Sequence, residues 1–178
     1  VKEGFFEASL EYQTTLNPEC NEVDINIIIC EGRAGRIKKI IFSGLNSCEK
    51  NEILDLMVTK EYNFFTSWIT NEGTYNEDAI AQDQFVILNY LQNKGYADAR
   101  VNIEVSEAAQ KNRILIYIHA DKGDLYQIGN ISFEGNTLFD DDEISNRILC
   151  STGSCYSPEA IRKTIENITT LYGKWGYI

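Results

Sequence analysis

"IGNISFEGN", residues 128–136, alternates apolar residues with polar or small ones and then enters a glycine turn. "IKKIIFSGL", residues 37–45, lies 91 positions earlier and has isoleucine, isoleucine, phenylalanine and glycine in the same register. Each stretch is typical of a short strand followed by a turn. Self-similarity at a fixed distance predicts a repeated structural unit.

The repeat extends in both directions from this strand. Upstream the offset stays at 91, and late in the chain it falls to 81. The matching stretches are "EGFFEASLEYQ" (3–13) with "KGYADARVNIE" (94–104), "NEVDINIIICEG" (21–32) with "NRILIYIHADKG" (112–123), "TYNEDAI" (74–80) with "CYSPEAI" (155–161), and "NKGYA" (93–97) with "KWGYI" (174–178). The change of offset means that the middle copy has about ten extra residues between Thr59 and Thr74.

One complete unit runs from about Arg33 to Gly123, and its apolar pattern predicts strand, helix, helix, strand, strand. Polar residues at 76–78 open the second helix, and Gly95 followed by an aromatic residue ends it. The predicted elements are marked by Ile37, Ile40 and Phe42; by Ile53, Leu56 and Met57; by Ile80, Phe85, Ile87, Leu88, Tyr90 and Leu91; by Val101, Ile103 and Val105; and by Ile114, Ile116 and Ile118.

This order predicts an α+β fold of tandem βααββ units, in which two helices cover one face of a three-stranded mixed sheet. The last two strands form an antiparallel hairpin, and the first strand pairs in parallel after a right-handed helical crossover. We expect the hairpin portion of one unit at residues 1–32, a complete unit at 33–123, and the strand and two helices of the next unit at 124–178. Because both ends fall within a unit, we expect a fragment of a longer protein with at least three units.

The formal net charge of −11 indicates an acidic surface, which repels nucleic acid and anionic lipid head groups. No apolar run reaches the ~20 residues needed to cross a bilayer. The start, "VKEGFFEASL", lacks the apolar core of a signal peptide. We therefore expect neither nucleic-acid binding nor a membrane span in this sequence.

Five cysteines favour an oxidising compartment. Cys150 and Cys155 flank a small loop in "CSTGSC", which makes them a candidate disulfide. Cys20, Cys30 and Cys48 leave an odd thiol whose pairing the sequence does not assign. The spacing matches no zinc site, since the chain has no CxxC and contains one histidine.

Several of these features together resemble a known family. They are the βααββ order, the stretch "YQIGNISFEGNTLF" (126–139), "YSPEAI" at the start of a helix, and helix ends with Gly-Tyr at 95–96 and 176–177. The chain resembles the tandem POTRA domains of outer-membrane protein assembly factors of the BamA type. The long connection between the helices of the middle unit is similar to that of the third domain in this family. The family pattern does not call for the cysteines.

The resemblance implies a non-enzymatic scaffold in the periplasm, the soluble part of an outer-membrane protein, that needs no cofactor. Its implied partners are unfolded outer-membrane β-barrel proteins and accessory assembly lipoproteins, with insertion by a barrel outside this chain. The alternative within the family is the POTRA region of a two-partner secretion or autotransporter-assembly transporter. A hydrolase would need a cluster of catalytic residue types, which the sequence does not show.

The strand that begins at Arg100 is the first candidate for partner binding. At a sheet edge, its backbone groups would accept an extended peptide as an added strand, as the resemblance also implies. The alternative is an ordinary edge protected by the polar side chains of its outer face. The candidate residues are Arg100, Val101, Asn102, Ile103, Glu104 and Val105.

The connection "YNFFTSWIT", residues 62–70, is the second candidate. Four aromatic side chains in seven residues either form an exposed contact patch or fold back onto the helices as extra core. These side chains are Tyr62, Phe64, Phe65 and Trp68. Phe65 and Trp68 are the candidate partner contacts.

Four further features bear on function. Ile28 and Tyr117 lie opposite the core phase of their strands, so the open face of the sheet is partly apolar. His119 shares that phase, and no motif supplies it with a catalytic partner. The acids of "FDDDE" (139–143) are expected to cap a helix, where the dipole favours them, rather than to bind calcium. The hairpin of one copy could complete the last unit of another copy by domain swapping.

Overall fold

The computed structural model of the chain describes residues 5–6, 9–30, 33–65, 67, 73–109 and 112–177. Its strands and helices are β1 (Phe5–Phe6), β2 (Ser9–Asn17), β3 (Glu22–Cys30), β4 (Arg33–Ala34), β5 (Arg36–Ser43), α1 (Ser47–Leu56), α2 (Glu77–Asn93), β6 (Arg100–Glu107), β7 (Arg113–Asp121), α3 (Asp141–Ser145) and α4 (Pro158–Gly173). The chain forms two compact units, residues 1–84 with 102–119 and residues 85–101 with 120–178. From β5 to β7 the elements follow the predicted strand, helix, helix, strand, strand order.

The three-stranded sheet of the middle repeat has the order β5-β7-β6, and β5 runs parallel to β7. Ile37 pairs with Ile114 and Ile40 with Ile116, with a register shift between Ile37 and Lys39. Strand side chains normally alternate in twos, so this irregularity explains why two isoleucines three positions apart are both buried. The parallel pairing confirms the prediction of a mixed sheet.

The second helix of this repeat ends where predicted, whereas the first begins at Ser47, within the stretch predicted as a turn. At the start of α1, Asn46 Oδ1 accepts from Glu49 N and the Glu49 carboxylate accepts from Asn46 N, both at 2.9 Å. This reciprocal pair satisfies two N–H groups that the first helical turn leaves open. After α2, Gly95 has a left-handed φ of +103°, and Tyr96 N donates back to Leu91 O at 3.2 Å. Glycine ends the helix because it adopts this φ without steric strain.

The buried stripe of α2 includes one polar residue that was not predicted and lacks one of the predicted apolar residues. Ile80, Asp83, Ile87 and Leu91 are buried at spacings of three and four, which is one face of a helix. Phe85 lies off this stripe and is exposed, in contrast to its prediction as core. Leu56 of α1 is also exposed, because Ile53 and Met57 already occupy the buried face.

Asp83 connects α2 to the chain that leaves α1. Its carboxylate accepts from Val58 N at 2.7 Å and from Thr59 N at 3.0 Å. Thr164, 81 positions further on, has the same place in α4, where its hydroxyl accepts from Leu149 N at 3.0 Å. The two repeats therefore tie their helices together in the same way with different side chains.

The hairpin β2–β3 pairs in antiparallel register from Ser9 opposite Cys30 to Asn17 opposite Glu22. Both strands are exposed along their whole length. The turn contains Asn21 with a φ of +54°, and its repeat counterpart Asn112 has a φ of +63°. Asparagine tolerates this left-handed conformation, so the two hairpins of the repeat share their turn residue.

The last repeat contains its two helices but not its predicted first strand. Residues 128–134 adopt no regular secondary structure. In the middle repeat the equivalent strand β5 is held by β7, and the structure describes no hairpin within residues 124–177 that takes that place. α3 and α4 are capped by Asp140 and Ser157 and share a small core of Phe139, Ile144 and Leu171.

Candidate partner-binding edge of the middle sheet

β6 lies at one edge of the three-stranded sheet, with β7 as its neighbour. Its side chains alternate as the sequence predicts: Arg100, Asn102 and Glu104 are exposed, whereas Val101 is buried and Ile103 is half-buried. On the exposed face the Asn102 amide donates to the Glu104 carboxylate at 3.1 Å. The candidate strand therefore has a polar outer face and an apolar inner face.

The opposite edge, β5, is covered by the connection between α1 and α2. Ile37 N donates to Gly73 O, and Ile37 O accepts from Tyr62 N, both at 2.8 Å. Further along the strand, Ile40 N donates to the Glu61 carboxylate at 2.9 Å. This connection therefore takes up hydrogen-bonding groups along β5 at that edge of the sheet.

The pairing of β6 with β7 determines which of its backbone groups point outward. Ala108 N donates to Arg113 O at 2.8 Å, and burial alternates from residue 100 to residue 106 of β6 and along the whole of β7. In an antiparallel pair, alternate residues direct their N–H and C=O groups toward the neighbouring strand. By this alternation the N–H and C=O groups of Asn102, six residues before Ala108, point toward β7. Those of Ile103 and Val105 point away from β7, to the outer side of the sheet.

The aromatic connection is divided between packed and exposed residues. The guanidinium groups of Arg36 and Arg113 lie over the Tyr62 ring, 4.6 and 5.3 Å from its centroid. Phe64 and Phe65 are 74% and 81% exposed, and their rings meet edge to face at 5.7 Å. The interpretation of extra core therefore does not hold for these two phenylalanines. Trp68 lies outside the described residues.

The open face of the sheet carries a side-chain pair that the sequence pattern does not predict. His119 Nδ1 lies 2.8 Å from the Ser43 hydroxyl oxygen, and the imidazole stacks on Tyr117 with centroids 6.4 Å apart. The parallel register of β5 and β7 places Ser43 directly opposite His119. Both residues are exposed, so the hydrogen bond orients the imidazole on an open surface. Ile28, on the separate hairpin, is 40% exposed.

Cys150 and Cys155 form no disulfide in the structure, in contrast to the prediction. The backbone around the two residues is held in another way. Gln127 and Cys155 form an isolated β-bridge, and Ser154 N donates to Ser151 O at 3.0 Å. The turn and the bridge position the two cysteines without a covalent link.

The acidic run at 139–143 serves the start of α3. Asp140 Oδ1 accepts from Glu143 N at 2.8 Å, and the Asn136 amide donates to the Asp141 carboxylate at 2.7 Å. Within the part of the chain that the structure describes, His, Cys, Asp and Glu side chains form no cluster of three suited to a metal ion. Among the same residues, none of the helices combines the length and apolar character that crossing a membrane requires.

The end of α2 and the start of α4 are connected by side-chain hydrogen bonds within the second compact unit. Asn93 Oδ1 accepts from the Ser157 hydroxyl at 2.8 Å and from Glu159 N at 3.0 Å. Ser157 is itself the N-cap of α4 and accepts from Ala160 N at 3.1 Å. Asn93 therefore adds a second acceptor to the first turn of a helix in the next repeat. No local sequence signal indicates this contact, because its partners are 64 positions apart.

The linker at 124–126 packs closely on Gly95. Tyr126 N donates to Gly95 O at 2.8 Å, and a Cβ at Gly95 would lie 2.8 Å from Leu125 Cδ1. The Tyr126 hydroxyl donates to the Asp98 carboxylate. This hydrogen bond and the charge of Asp98 raise the pKa of Tyr126 above its usual value. Backbone, packing and side-chain contacts thus hold the linker against the residues that follow α2.

Known proteins match most of the chain. The family model described as "POTRA: Surface antigen variable number repeat" matches residues 35–123 and 126–178. The outer membrane protein assembly factor BamA of Neisseria meningitidis serogroup B is 29% identical over 161 residues, which are 88% of this chain and 20% of that protein. A putative outer membrane protein assembly factor of Treponema pallidum is 23% identical over 175 residues, 96% of this chain and 20% of that protein. The chain spans about a fifth of the length of these curated relatives.

Among solved structures, the crystal structure of Haemophilus influenzae BamA POTRA3-5 matches with a TM-score of 0.56 at 21% identity. The match covers 95% of this chain and 63% of that one. A structure of BamA from Haemophilus ducreyi lacking POTRA domains 1-3 matches with a TM-score of 0.57 at 18% identity, over 75% of this chain and 23% of that one. These structural similarities show that the chain shares the fold of these two structures.

Proposed function

The chain belongs to the POTRA family, and on this premise we propose that its middle repeat binds extended segments of unfolded outer-membrane β-barrel proteins by adding them as a strand beside β6. Accessory assembly lipoproteins are the other class of partner for this edge. The chain works in the periplasm as a binding scaffold of an outer-membrane protein, without catalysis or a cofactor. Its clients pass to a barrel that lies outside these 178 residues. The two curated relatives are an outer membrane protein assembly factor and a putative one, which supports this proposal.

The observation that carries the proposal is the difference between the two edges of the sheet. β5 is occupied by the connection between the helices, whereas β6 has a neighbouring strand on the β7 side. The edge strand of a sheet is a template for pairing with another extended chain. A partner that adds to this sheet therefore adds at β6.

Strand addition suits a receptor for many different clients. Main-chain hydrogen bonds supply the affinity whatever the client sequence, and alternate side chains supply the selectivity. A strand added beside β6 would place one set of its side chains next to Ile103 and Val105 and the other set next to Asn102 and Glu104. We therefore expect a preference for client segments that alternate apolar and polar residues.

The exposed Phe64–Phe65 pair provides a second apolar contact in the proposal. Two adjacent aromatic rings in solvent are favourable sites for an apolar client side chain, because aromatic residues bury a large area on binding. Trp68 belongs to the same connection and stays a candidate from the sequence.

The edge is tested with Ile103→Pro and its matched control Ile103→Ala in the complete chain. Proline removes the outward N–H of residue 103 and keeps the pairing groups of Asn102 and Glu104 with β7. Alanine removes most of the side chain and keeps the N–H. Binding is measured by fluorescence anisotropy of a labelled, urea-unfolded outer-membrane β-barrel protein after dilution. We expect Ile103→Pro to weaken binding about tenfold or more and Ile103→Ala to weaken it much less.

Far-UV circular dichroism and the melting temperature establish that both variants are folded. If a folded Ile103→Pro variant binds the client like wild type, strand addition at β6 is refuted. Equal losses from proline and alanine would show that the Ile103 side chain, and not the main chain, makes the contact. A photo-crosslinker at position 102 is expected to label the client, and the same group at Lys38 on the covered edge is not.

A further inference from the structure

Two arginines face each other across the parallel strands of the middle sheet. Arg36 at the start of β5 pairs directly with Arg113 at the start of β7. Paired residues of neighbouring strands lie about 5 Å apart on the same face of a sheet, and like charges in such a pair repel. The pair is therefore unfavourable for the sheet unless another interaction offsets the repulsion.

The ring of Tyr62 brings the two side chains to one place. Both guanidinium groups lie over this ring, with 4.6 Å from the centroid to Arg36 and 5.3 Å to Arg113. The backbone below is fixed as well, because Arg36 N donates to Asn112 O at 3.0 Å and Tyr62 N donates to Ile37 O at 2.8 Å. Contact with an aromatic face holds a guanidinium group and does not use up its N–H donors.

Lys39 extends the positive charge along the same face. It pairs with Leu115, which follows Arg113 by two residues and therefore lies on the same face of β7. A step of two residues along a strand is about 6.6 Å. We call Arg36, Arg113 and Lys39 together the arginine site.

No acidic side chain neutralises the arginine site within the part of the chain that the structure describes. Among those residues, no carboxylate lies within ion-pair distance of its three cations, and neither guanidinium group donates a hydrogen bond. The chain has 27 acidic and 16 basic residues, so acids are not scarce. On α4, by contrast, Arg162 pairs with Glu166. The arginine site thus presents open positive charge on an acidic protein.

The repeat does not require arginine at these positions. At the offset of 91, Gln127 is the counterpart of Arg36, and Glu22 is the counterpart of Arg113. Arg36 and Gln127 each form an isolated β-bridge to the chain that precedes the second helix of their repeat. Tyr62 lies in the extra residues that only the middle repeat has. The two arginines and the ring that holds them are specific to this repeat, which points to a role other than folding.

We infer that the arginine site binds the carboxylates of an acidic, extended protein segment. A guanidinium group donates two parallel N–H bonds to a carboxylate, and two such groups side by side suit one or two carboxylates. An extended segment directs every second side chain to one face, about 6.6 Å apart, which matches the step from the arginine pair to Lys39. The preferred segment therefore carries acidic residues at alternate positions.

A short acidic segment fits this site better than a large anionic surface does. The net charge of −11 repels a membrane of anionic lipid, whereas a few carboxylates interact mainly with charges within the screening length of about 8–10 Å. The arginine site lies on β5 and β7, not on the outer side of β6. The inference is therefore independent of strand addition at β6, and either one can fail alone.

The chemistry of the ligand is tested with two short synthetic peptides and the 178-residue chain labelled with nitrogen-15. One peptide alternates glutamate with serine, and the other has glutamine in place of glutamate. Binding is followed by the side-chain Nε–Hε signals of Arg36 and Arg113. We expect the glutamate peptide to shift both signals to saturation and the glutamine peptide to shift neither. Equal shifts with both peptides, or none with glutamate, overturn the inference.

Inorganic phosphate and phosphatidylglycerol vesicles are the other probes. We expect both to bind more weakly than the glutamate peptide at the same ionic strength. Tighter binding of either one, lost in Arg36→Gln, would show that the site takes phosphate groups and would overturn a carboxylate ligand.

The residues are tested by substitution, with affinity taken from the arginine signal that remains. Arg36→Gln and Arg113→Gln are each expected to weaken binding of the glutamate peptide about tenfold, because each removes charge-assisted hydrogen bonds. Arg113→Lys keeps the charge without the planar group, so we expect an intermediate loss. Arg162→Gln on α4 is the control and is expected to bind like wild type. Far-UV circular dichroism and the melting temperature establish that each variant is folded. A folded Arg113→Gln variant with wild-type affinity, or an equal loss from Arg162→Gln, contradicts the site.

Discussion

Replacement of Asp83 by alanine is expected to destabilise the middle repeat more than any exposed substitution on the same helix. Asp83 is fully buried on α2, and its two carboxylate oxygens accept from Val58 N and Thr59 N at 2.7 and 3.0 Å. Alanine preserves the helix and removes both acceptors. The change therefore tests the connection between the two helices rather than the stability of α2 alone.

The expected loss follows from the surroundings of the two donors. Thr59 is buried, so its N–H is left without a partner at a cost of about 1–3 kcal/mol. Val58 is 53% exposed, so water replaces part of its lost bond and the cost there is about 1 kcal/mol. Alanine also removes the desolvation cost of a buried carboxylate, which makes the sum an upper limit. We expect the free energy of unfolding to fall by no more than this sum, about 2–4 kcal/mol.

Urea denaturation followed by far-UV circular dichroism measures this change. Gln82→Ala, the exposed neighbour on α2, is expected to stay within about 0.5 kcal/mol of wild type. Asp83→Thr introduces the residue that the last repeat uses at Thr164, and its single hydroxyl oxygen accepts from one of the two N–H groups. We therefore expect an intermediate loss. If Asp83→Ala unfolds within about 0.5 kcal/mol of wild type, or if threonine is as damaging as alanine, the two hydrogen bonds do not supply the stability assigned to them.

Two more predictions concern the linker after α2. Gly95→Ala is expected to lower the free energy of unfolding by about 1–3 kcal/mol, because φ is +103° and the new Cβ would lie 2.8 Å from Leu125 Cδ1. Gly129→Ala, with open space around its Cβ, is the control, and equal effects of the two changes in urea denaturation would contradict the reasoning. Asp98→Asn is expected to lower the pKa of Tyr126, because the hydrogen bond and charge of Asp98 raise it. The stabilising contribution of this contact is present below the unfolded tyrosine pKa of about 10 and is lost as the pH rises through the higher folded value. The pKa of Tyr126 is measured by absorbance titration of wild type and Asp98→Asn, each compared with the same protein carrying Tyr126→Phe. Identical titrations would contradict the role of Asp98 in raising this pKa.

The order of elements and the parallel pairing of β5 follow from local and periodic signals. Residues 37–45 and 128–136 repeat at a fixed distance, and this repetition by itself marks the start of a unit. Gly95 ends α2 because glycine, unlike other residues, adopts a positive φ without steric strain. A strand followed by two helices and a hairpin leaves few topologies, and a right-handed crossover to a parallel neighbour is one of them.

The side-chain partners could not be predicted in the same way. Asp83 interrupts an apolar stripe, and its reason for being there is a pair of N–H groups about 25 residues away. Asn93 binds the start of a helix in the next repeat, and Ser43 meets His119 only because two strands pair in parallel. These contacts depend on tertiary placement, which no local pattern contains.

The absent strand at residues 128–133 shows a different limit of sequence patterns. The pattern matches that of β5, and Ile128 makes the same two backbone bonds as Ile37. Strand geometry in β5 depends on β7 as well, since an isolated extended segment has no ladder to stabilise it. Alternating residues therefore predict the capacity to form a strand, and the neighbouring strand decides whether it forms.

The extra residues of the middle repeat explain why its two sheet edges differ. The last repeat connects Cys150 to Cys155 with four residues, whereas the middle repeat places fourteen between Thr59 and Thr74. Glu61 lies in this longer stretch, and its carboxylate binds Ile40 N beyond the backbone contact that both repeats make at their first isoleucine. The insertion thus extends the cover along β5. For the strand addition proposed above, a longer connection that covers β5 leaves β6 as the edge for the incoming strand.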